Sequence, residues 1–236
     1  MSEPVPAGEP LFDSHAEDYD AECMQGLKAS GEGREFFARG RVDALRRWWT
    51  RDGRPEPARV LDYGCGLGDV GPLLAAAFPG AQVVGLDPSP RLVEQARRRH
   101  GDSGIGFGVL EPGAAAEPAD LVHLNGVVHH VEPAARPELF TALAGSLRPG
   151  GVLAVFENNP LNPGTRYVMS RIPFDRDAVP LTAVALRRHL RAAGLAPLRT
   201  ENLFWFPRAL AWLRPLERGL VRVPLGAQYG VFAVRG

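Results

Sequence analysis

With 236 residues, 27 of them Lys or Arg and 27 Asp or Glu, the chain carries no formal net charge. A neutral balance argues against nucleic acid as a principal partner, because phosphate binding draws on an excess of cations. The length suits one large domain, or one domain with insertions, around a substantial core. Two cysteines, Cys23 and Cys65, make no disulfide framework. The N-terminus lacks the basic region and apolar run of a secretory leader, and no apolar stretch approaches membrane-spanning length. The expectation is a soluble cytoplasmic protein.

Residues 1–11, rich in Pro, Glu and Gly, read as disordered. Residues 12–30 carry F-D-S-H-A-E-D-Y-D and then a short helical pattern. In Glu35–Trp49, residues Phe36, Phe37, Val42, Leu45, Trp48 and Trp49 recur at helical steps. A Pro/Gly linker, Asp52–Pro57, follows, and the period changes. Strands are expected at Val60–Tyr63, Gln82–Asp87, Ile105–Leu110, Ala119–Leu124 and Val152–Glu157. Helices are expected at Asp69–Phe78, with Pro72 in its first turn, at Ser89–His100, with Ser89 as N-cap, and at Pro137–Leu147. Arg148–Gly151 reads as a turn. Asn158–Pro180 reads as an irregular insert, Leu181–Ala193 as a helix stopped by Gly194, and Leu198–Trp205 as a sixth strand. A helix interrupted by Pro215 is expected over Pro207–Val223, then a last strand, Gln228–Val234. Strands alternating with helices indicate an α/β fold, a parallel sheet covered on both faces.

The most informative stretch is Ala58–Gly68, A-R-V-L-D-Y-G-C-G-L-G. A strand ends at Asp62, glycines follow at 64, 66 and 68, and a second strand ends in Asp87. Glycines let the backbone approach a ligand and take positive φ, and the helix behind them adds a field favourable to anions. Cys65 inside this loop fits as a small packed side chain; a reactive thiol is the alternative. Gly66–Gly71 matches the dinucleotide pattern G-x-G-x-x-G literally. In register with the strand, however, the pattern is Asp62-x-Gly64-x-Gly66-x-Gly68, and position 69, where the third dinucleotide glycine belongs, is aspartate. An acid followed by G-x-G-x-G suits S-adenosylmethionine, and Asp62 suits a cationic amino acid moiety better than a pyrophosphate. Asp87, about 20 residues beyond the loop, is placed to accept hydrogen bonds from both ribose hydroxyls.

With V-L-D-Y-G-C-G-L-G (60–68), V-V-G-L-D-P-S (83–89), D-L-V-H-L-N-G-V-V-H-H-V (120–131) and L-R-P-G-G-V-L (147–153) in this order, the chain resembles the class I S-adenosylmethionine-dependent methyltransferases of small-molecule type. The strong match runs from about Ala58 to Glu157. The resemblance implies a Rossmann-like, seven-stranded, mostly parallel sheet whose last strand is antiparallel. The expected division is a disordered start plus an N-terminal helical lid over 1–57 and a methyltransferase-type α/β domain over 58–236, with an insert at 158–180 and a helical insert at 207–223. Asp62 and Gly64, Cys65, Gly66 and Gly68 are expected near the methionine portion of the cofactor, Asp87 and Pro88 at the ribose, and Leu110 or Glu111 beside adenine. Many relatives carry an Asp after strand three, where this chain has Leu110-Glu111. Asn125, Gly126 and Val127 are expected at the methionine or sulfonium end, with Tyr19 capping the site. The implied reaction is methyl transfer to O, N or C of a small metabolite, in secondary metabolism.

Such a transfer is an in-line displacement that needs alignment, exclusion of water and, for some acceptors, a base. His129 and His130 after strand four and Glu157 ending strand five are the candidates, with Asp13 and His15 as outside ones. No metal site is expected: Asn125, Glu157, Asn158 and Asn159 are available oxygen ligands, but Gly126 and His129 stand where acids would serve. Acceptor specificity is expected in the N-terminal helices and in Asn158–Arg176, where Tyr167, Met169 and Phe174 would line a pocket. Arg166 and Arg171 would there hold an anionic acceptor or merely solvate the insert. Leu203–Leu220, apolar with interspersed arginines, fits an amphipathic helix packed on the sheet or in a dimer interface; a membrane surface or a lipid-linked acceptor is the alternative. Competing functions are a nicotinamide-dependent oxidoreductase, an S-adenosylmethionine protein doing other chemistry, and a binding module without catalysis. The protein is expected as a monomer or homodimer.

Overall fold

The structure, a computed structural model, describes residues 13, 19–111 and 117–236. The expected disordered start, the rest of 12–18 and His15 lie outside the described residues. Seven strands form one sheet in the order β3-β2-β1-β4-β5-β7-β6. They are β1 (Arg59–Tyr63), β2 (Gln82–Asp87), β3 (Gly106–Val109), β4 (Ala119–Asn125), β5 (Leu147–Asn158), β6 (Leu195–Leu203) and β7 (Gln228–Arg235). The first five pair in parallel, and β7 runs antiparallel to both β5 and β6. This is the Rossmann-like sheet expected from the sequence.

Alternation along each strand divides the core in two. Val60, Phe156 and Phe232 face one side and Leu61, Val155 and Val231 the other. The first side is covered by α2 (Arg34–Arg51), α3 (Gly71–Ala77) and α4 (Pro90–His100), the second by α5 (Arg136–Gly145) and α7 (Ala183–Ala192). Helix α2 is built into the sheet face: Trp48 stacks on Phe232 with ring centroids 4.7 Å apart, and Trp49 meets Phe78 edge-on. Its buried stripe, Ala38, Val42, Leu45 and Trp49, has the expected helical spacing. Ser89 caps α4 as expected, accepting from the Leu92 N–H at 3.1 Å.

Four segments differ from the sequence expectations. Arg148–Gly151 does not end a helix as a free turn. It forms an irregularity inside β5, where Leu147 pairs with Ala119 and Val152 with Leu121. The insert after β5 is partly regular, holding α6 (Pro163–Met169), capped by Asn162, and a 3-10 turn at Pro173–Asp175. Strand β6 begins three residues early and takes in Pro197. It is the edge strand, where a missing N–H removes no ladder bond on the open side. The segment 207–223 is not one amphipathic helix on the core. It is a run of 3-10 turns over Arg208–Leu216, broken at Leu210 (φ −113), followed by a short helix, α8 (Glu217–Leu220). Pro215 withholds a donor and crowds the preceding turn, so a regular α-helix cannot pass through it. No residue of either stretch is buried.

Candidate functional site

The carboxyl ends of β1, β2, β4 and β5 converge on the site, in two halves. In the first half the chain leaves β1 through a loop with Gly64, Gly66 and Gly68 at φ of 73, 53 and 78. The loop is tied to β2: the Gly64 N–H donates to the Leu86 carbonyl at 2.7 Å, and the Gly66 N–H to Asp87 Oδ2 at 2.8 Å. A Cβ at Gly64 would sit 2.5 Å from Val127, whereas at Gly66 it would meet nothing within 4 Å. Gly64 thus serves packing of the loop on the strand-four turn, and Gly66 leaves its backbone open to a ligand.

Asp87 is buried and accepts from the Gly66 and Ser89 N–H groups. Burial pushes its carboxyl above the usual range; those two N–H bonds pull the other way, and Asp62 and Asp13 add to the rise. Pro88 beside it is exposed. Asp62 lies in the register position opposite His123 of β4, with Asp62 Oδ1 2.7 Å from His123 Nδ1. Both residues are buried, yet Asp62 Oδ2 and His123 Nε2 have no partner among the described residues. Such an orphaned acceptor marks a place where a donor belongs. Cys65 packs on Gly85 of β2. Burial first, then the charges of Asp62 and Asp87, raise its thiol pKa far above the ordinary value, so it is a packed side chain rather than a reactive one. Leu110 follows β3, its N–H donating to the Asp87 carbonyl at 2.9 Å, while Glu111 is exposed. Asp13 bonds Ser89 Oγ and receives the Arg91 N–H, so its carboxylate sits at the start of α4, on the Asp87 side of the site.

In the second half, β4 ends at Asn125 and turns sharply at Gly126, whose φ is 67 and whose N–H donates to the Phe156 carbonyl. After Val127 a 3-10 turn presents Val128, His129 and His130. Glu157 of β5 reaches under this turn. Its Oε1 accepts from the Val128 N–H at 2.8 Å, and its Oε2 lies 2.5 Å from His129 Nδ1. Asp175, from the insert, places Oδ1 3.6 Å from His129 Nε2 and 3.3 Å from His130 Nε2. Burial works to lower the His129 pKa, but the carboxylates of Glu157 and Asp175 outweigh it and carry the ring to about 10. His129 is therefore cationic at neutral pH, held between two anions. His130 goes the other way: burial lowers its pKa and the cationic neighbour helps, against the pull of Asp175. Burial raises Asp175, but its bonds to the two histidines bring it below the usual carboxylate value. The two histidine nitrogens and the Asp175 oxygen lie within 4.8 Å of one another, a spacing a metal ion also uses. Protons shared with Glu157 and Asp175 account for the same geometry.

A cavity of about 450 Å³ opens against this cluster. Asn125, Gly126, His129, His130 and Asp175 form one end, and Glu157 is not among its lining residues. Cys23 and Leu27 of α1 (Tyr19–Leu27) and Phe36 and Phe37 of α2 form one wall, and Tyr167, Met169 and Phe174 of the insert another. The Phe204–Pro207 turn closes it. Phe204 holds a left-handed φ of 60 and packs its ring on Phe37, at 4.9 Å, where only the missing side chain of Gly40 leaves room. Arg166 and Arg171 do not reach the cavity: both are exposed, and Arg171 lies over the Tyr167 ring. No Lys or Arg lines it among the described residues, and the residues outside the description contain none. Tyr19 begins α1; its side chain is outside the described residues.

Sequence reasoning missed three contributors. His123 was visible as a lone histidine in an apolar strand, in register with Asp62. Asp175 and Phe204 carried no local signal, because only folding of the insert and of the β6 exit brings them to the cavity.

S-adenosylmethionine carries an amino acid portion with an ammonium group, a ribose and a sulfonium. The orphaned, buried Asp62 oxygen fits the ammonium group, the open backbone at Gly66 fits a close-lying ligand, and Asp87 ends β2 where a ribose carboxylate belongs. A family model described as a methyltransferase domain matches residues 61–153. Among curated proteins, the chain is 34% identical over 146 residues to a trans-aconitate 2-methyltransferase of Methylobacterium nodulans, covering 59% of this chain and 54% of that one. It is 40% identical over 104 residues to the one of Variovorax paradoxus, covering 43% and 39%. The chain spans about half the length of the curated relatives it matches. Among solved structures, an S-adenosylmethionine-dependent methyltransferase from Mesorhizobium loti has a TM-score of 0.56 at 25% identity, covering 82% of this chain and all, 100%, of that one. The magnesium protoporphyrin IX methyltransferase of Synechocystis, solved with S-adenosylhomocysteine, has a TM-score of 0.64 at 19% identity, covering 96% and 97%. Residues 61–153 match a methyltransferase domain, and over nearly its full length the chain has the fold of solved methyltransferases that use S-adenosylmethionine.

Proposed function

We propose that this protein transfers a methyl group from S-adenosylmethionine to an uncharged, ring-bearing small molecule seated in the 450 Å³ cavity. The cofactor supplies the electrophile, a methyl group on a cationic sulfur. The chain's residues do the rest. Asp62 and Asp87 hold the ammonium and ribose ends, Gly66 admits the ligand backbone-close, and Leu110 lies beside the base. Asn125 and Gly126 stand where the cavity meets the strand-four turn, and the aromatic walls exclude water and orient the acceptor.

His130 is the group that accepts the acceptor's proton. Its lowered pKa keeps it neutral, and the Asp175 carboxylate, 3.3 Å from its Nε2, orients the ring. His129 already carries its proton and cannot act as a base at neutral pH. With Glu157 it is a positioning pair that fixes the turn on which His130 stands. The observation that carries this reading is the meeting of an aromatic cavity with the His130–Asp175 pair at the carboxyl end of β4.

The same cavity bears on the acceptor. The curated relatives are named for trans-aconitate, a carboxylate compound, and a polyanion calls for cations around it. Here the charged lining residues besides the histidines are Glu32 and Asp175, and Glu32 is already paired with Arg214 at 2.8 Å. A phenol or other neutral hydroxyl compound fits better. The test is methyl transfer from labelled S-adenosylmethionine to a panel of phenols, amines and carboxylic acids, with a thermal-shift comparison of S-adenosylhomocysteine and NADH. Stabilisation by NADH alone, or transfer confined to polycarboxylates, overturns the reading.

A further inference from the structure

The segment that follows the cavity's Phe204–Pro207 turn has a surface that methyl transfer does not use. Trp212 is 75% exposed, Leu216 59% and Leu225 49%. No residue of Arg208–Leu220 is buried, so these side chains are not the inner face of a helix on the sheet. The segment is nevertheless held in place. Glu217 accepts from the Trp205 and Phe206 N–H groups at 3.1 and 3.0 Å, Arg214 is paired with Glu32, and the Val221 carbonyl accepts from the Asn202 N–H. Such a fixed, exposed set of Trp and Leu side chains has to meet something apolar.

The charges say what. Residues 207–223 contain four arginines against one glutamate. With Arg214 committed to Glu32, Arg208, Arg218 and Arg222 remain exposed beside the apolar side chains. An isologous contact with a second copy would bring these arginines against their own counterparts, because a two-fold interface pairs a patch with itself. An anionic bilayer surface complements both features: Trp and Leu enter the interfacial layer while Arg pairs with lipid phosphates. No described helix is long and apolar enough to cross a membrane, so the contact is peripheral.

We propose that residues 207–225 dock this protein on an anionic phospholipid surface. Phe204, Trp205, Phe206 and Pro207 line the cavity and lead directly into the docking segment, so the cavity's aromatic rim faces the same neighbourhood. Delivery of an apolar acceptor from the bilayer into the cavity follows, and that consequence alone rests on the proposed function; the docking itself does not.

The experiment is co-sedimentation of the full chain with vesicles of phosphatidylcholine alone and of phosphatidylcholine with phosphatidylglycerol, at low and high salt. Two variants accompany it, Trp212→Glu with Leu216→Glu, and Arg218→Glu with Arg222→Glu, none of which lines the cavity. The wild type is expected to sediment with the anionic vesicles and to be released by salt. Each double variant is expected to lose about tenfold or more in partition, since a basic side chain near such a surface contributes on the order of a factor of five. No partition of the wild type, equal partition on both vesicles, or a wild-type dimer dissolved by Trp212→Glu overturns the proposal. Should a variant fail to fold, the wild type's lipid and salt dependence still decides. Calorimetric binding of S-adenosylhomocysteine, expected to be unchanged in the variants, separates failure of the docking surface from failure of the cofactor site.

Discussion

Replacing Glu157 by Gln tests the electrostatic core of the site without changing its shape. Glu157 is 1% exposed, and its two oxygens serve the Val128 N–H and the His129 ring. Glutamine keeps an acceptor for Val128 but removes the anion beside a buried cation. Removing one partner of a buried ion pair costs about 3 kcal/mol or somewhat more. Unfolding entropy of about 2.1 cal/mol/K per residue gives about 0.5 kcal/mol/K for a chain of this size, so Tm should fall by about 6 °C at pH 7. The pH dependence carries the sharper signature. The folded His129 pKa, about 10, stands above its ordinary value of 6.5. A raised pKa contributes stability that is complete below the unfolded value and is lost as pH rises through the folded one. Wild-type Tm should therefore decline from neutral pH toward pH 10 as His129 gives up its proton. In Glu157→Gln, burial acts with only Asp175 to oppose it, the His129 pKa falls, and the alkaline decline flattens. Asp175 titrates on the other side: its lowered pKa contributes stability above its unfolded value that disappears only in acid. Differential scanning calorimetry from pH 5 to 10 follows the alkaline decline of His129. A Tm within about 1 °C of wild type at pH 7, with an unaltered alkaline slope, would refute the pairing of His129 with Glu157.

Asp87→Ala should weaken S-adenosylhomocysteine binding by about tenfold to a hundredfold in titration calorimetry, the value of hydrogen bonds to a charged acceptor; unchanged affinity would remove Asp87 from the cofactor site. His130→Asn should lower kcat by about a hundredfold or more while leaving cofactor affinity intact, because proton transfer by a placed base contributes on that order. The wild-type rate should stay on a plateau at neutral pH and fall only below the ordinary imidazole value, since His130 is depressed from it; a profile falling from pH 8 downward would point to a different base. Prolonged dialysis against EDTA should leave Tm and turnover unchanged. Loss of either, restored by a divalent metal, would assign His129, His130 and Asp175 to an ion instead of to shared protons.

How much of the molecule was legible beforehand differs between its halves. The cofactor half is local. Asp62, Gly64, Gly66 and Gly68 lie in one strand and its exit, Asp87 ends the next strand, and each proposed role follows from backbone position alone. Strand periodicity and the glycine pattern encode that geometry within a few residues, so the succession of strands, Ser89 as a cap and the position of Asp87 at the end of the second strand could be read directly. Asn125, Gly126 and the two histidines were placed at the right edge for the same reason.

The acceptor half is not local. Nothing in residues 128–130 tells which histidine is charged; that is decided by Glu157 from β5 and Asp175 from the insert, both far away in sequence, acting in a buried site where charges are weakly screened. The aromatic wall likewise joins α2, the insert and the β6 exit, with Gly40 and Phe204 fitting one another across 164 positions of chain. The run at 207–223 has a helix-like pattern of Leu, Trp and Arg, yet Pro215 and the ties from Glu217 and Arg214 leave that pattern facing outward. The amino-acid sequence by itself determined the scaffold and the strand ends at which a sulfonium nucleoside is proposed to bind, because those follow from periodicity and backbone conformation. Only the tertiary structure decided which side chains hold protons, what shape the cavity has and which apolar face stays outside, because those depend on desolvation and contact between segments the chain does not place side by side.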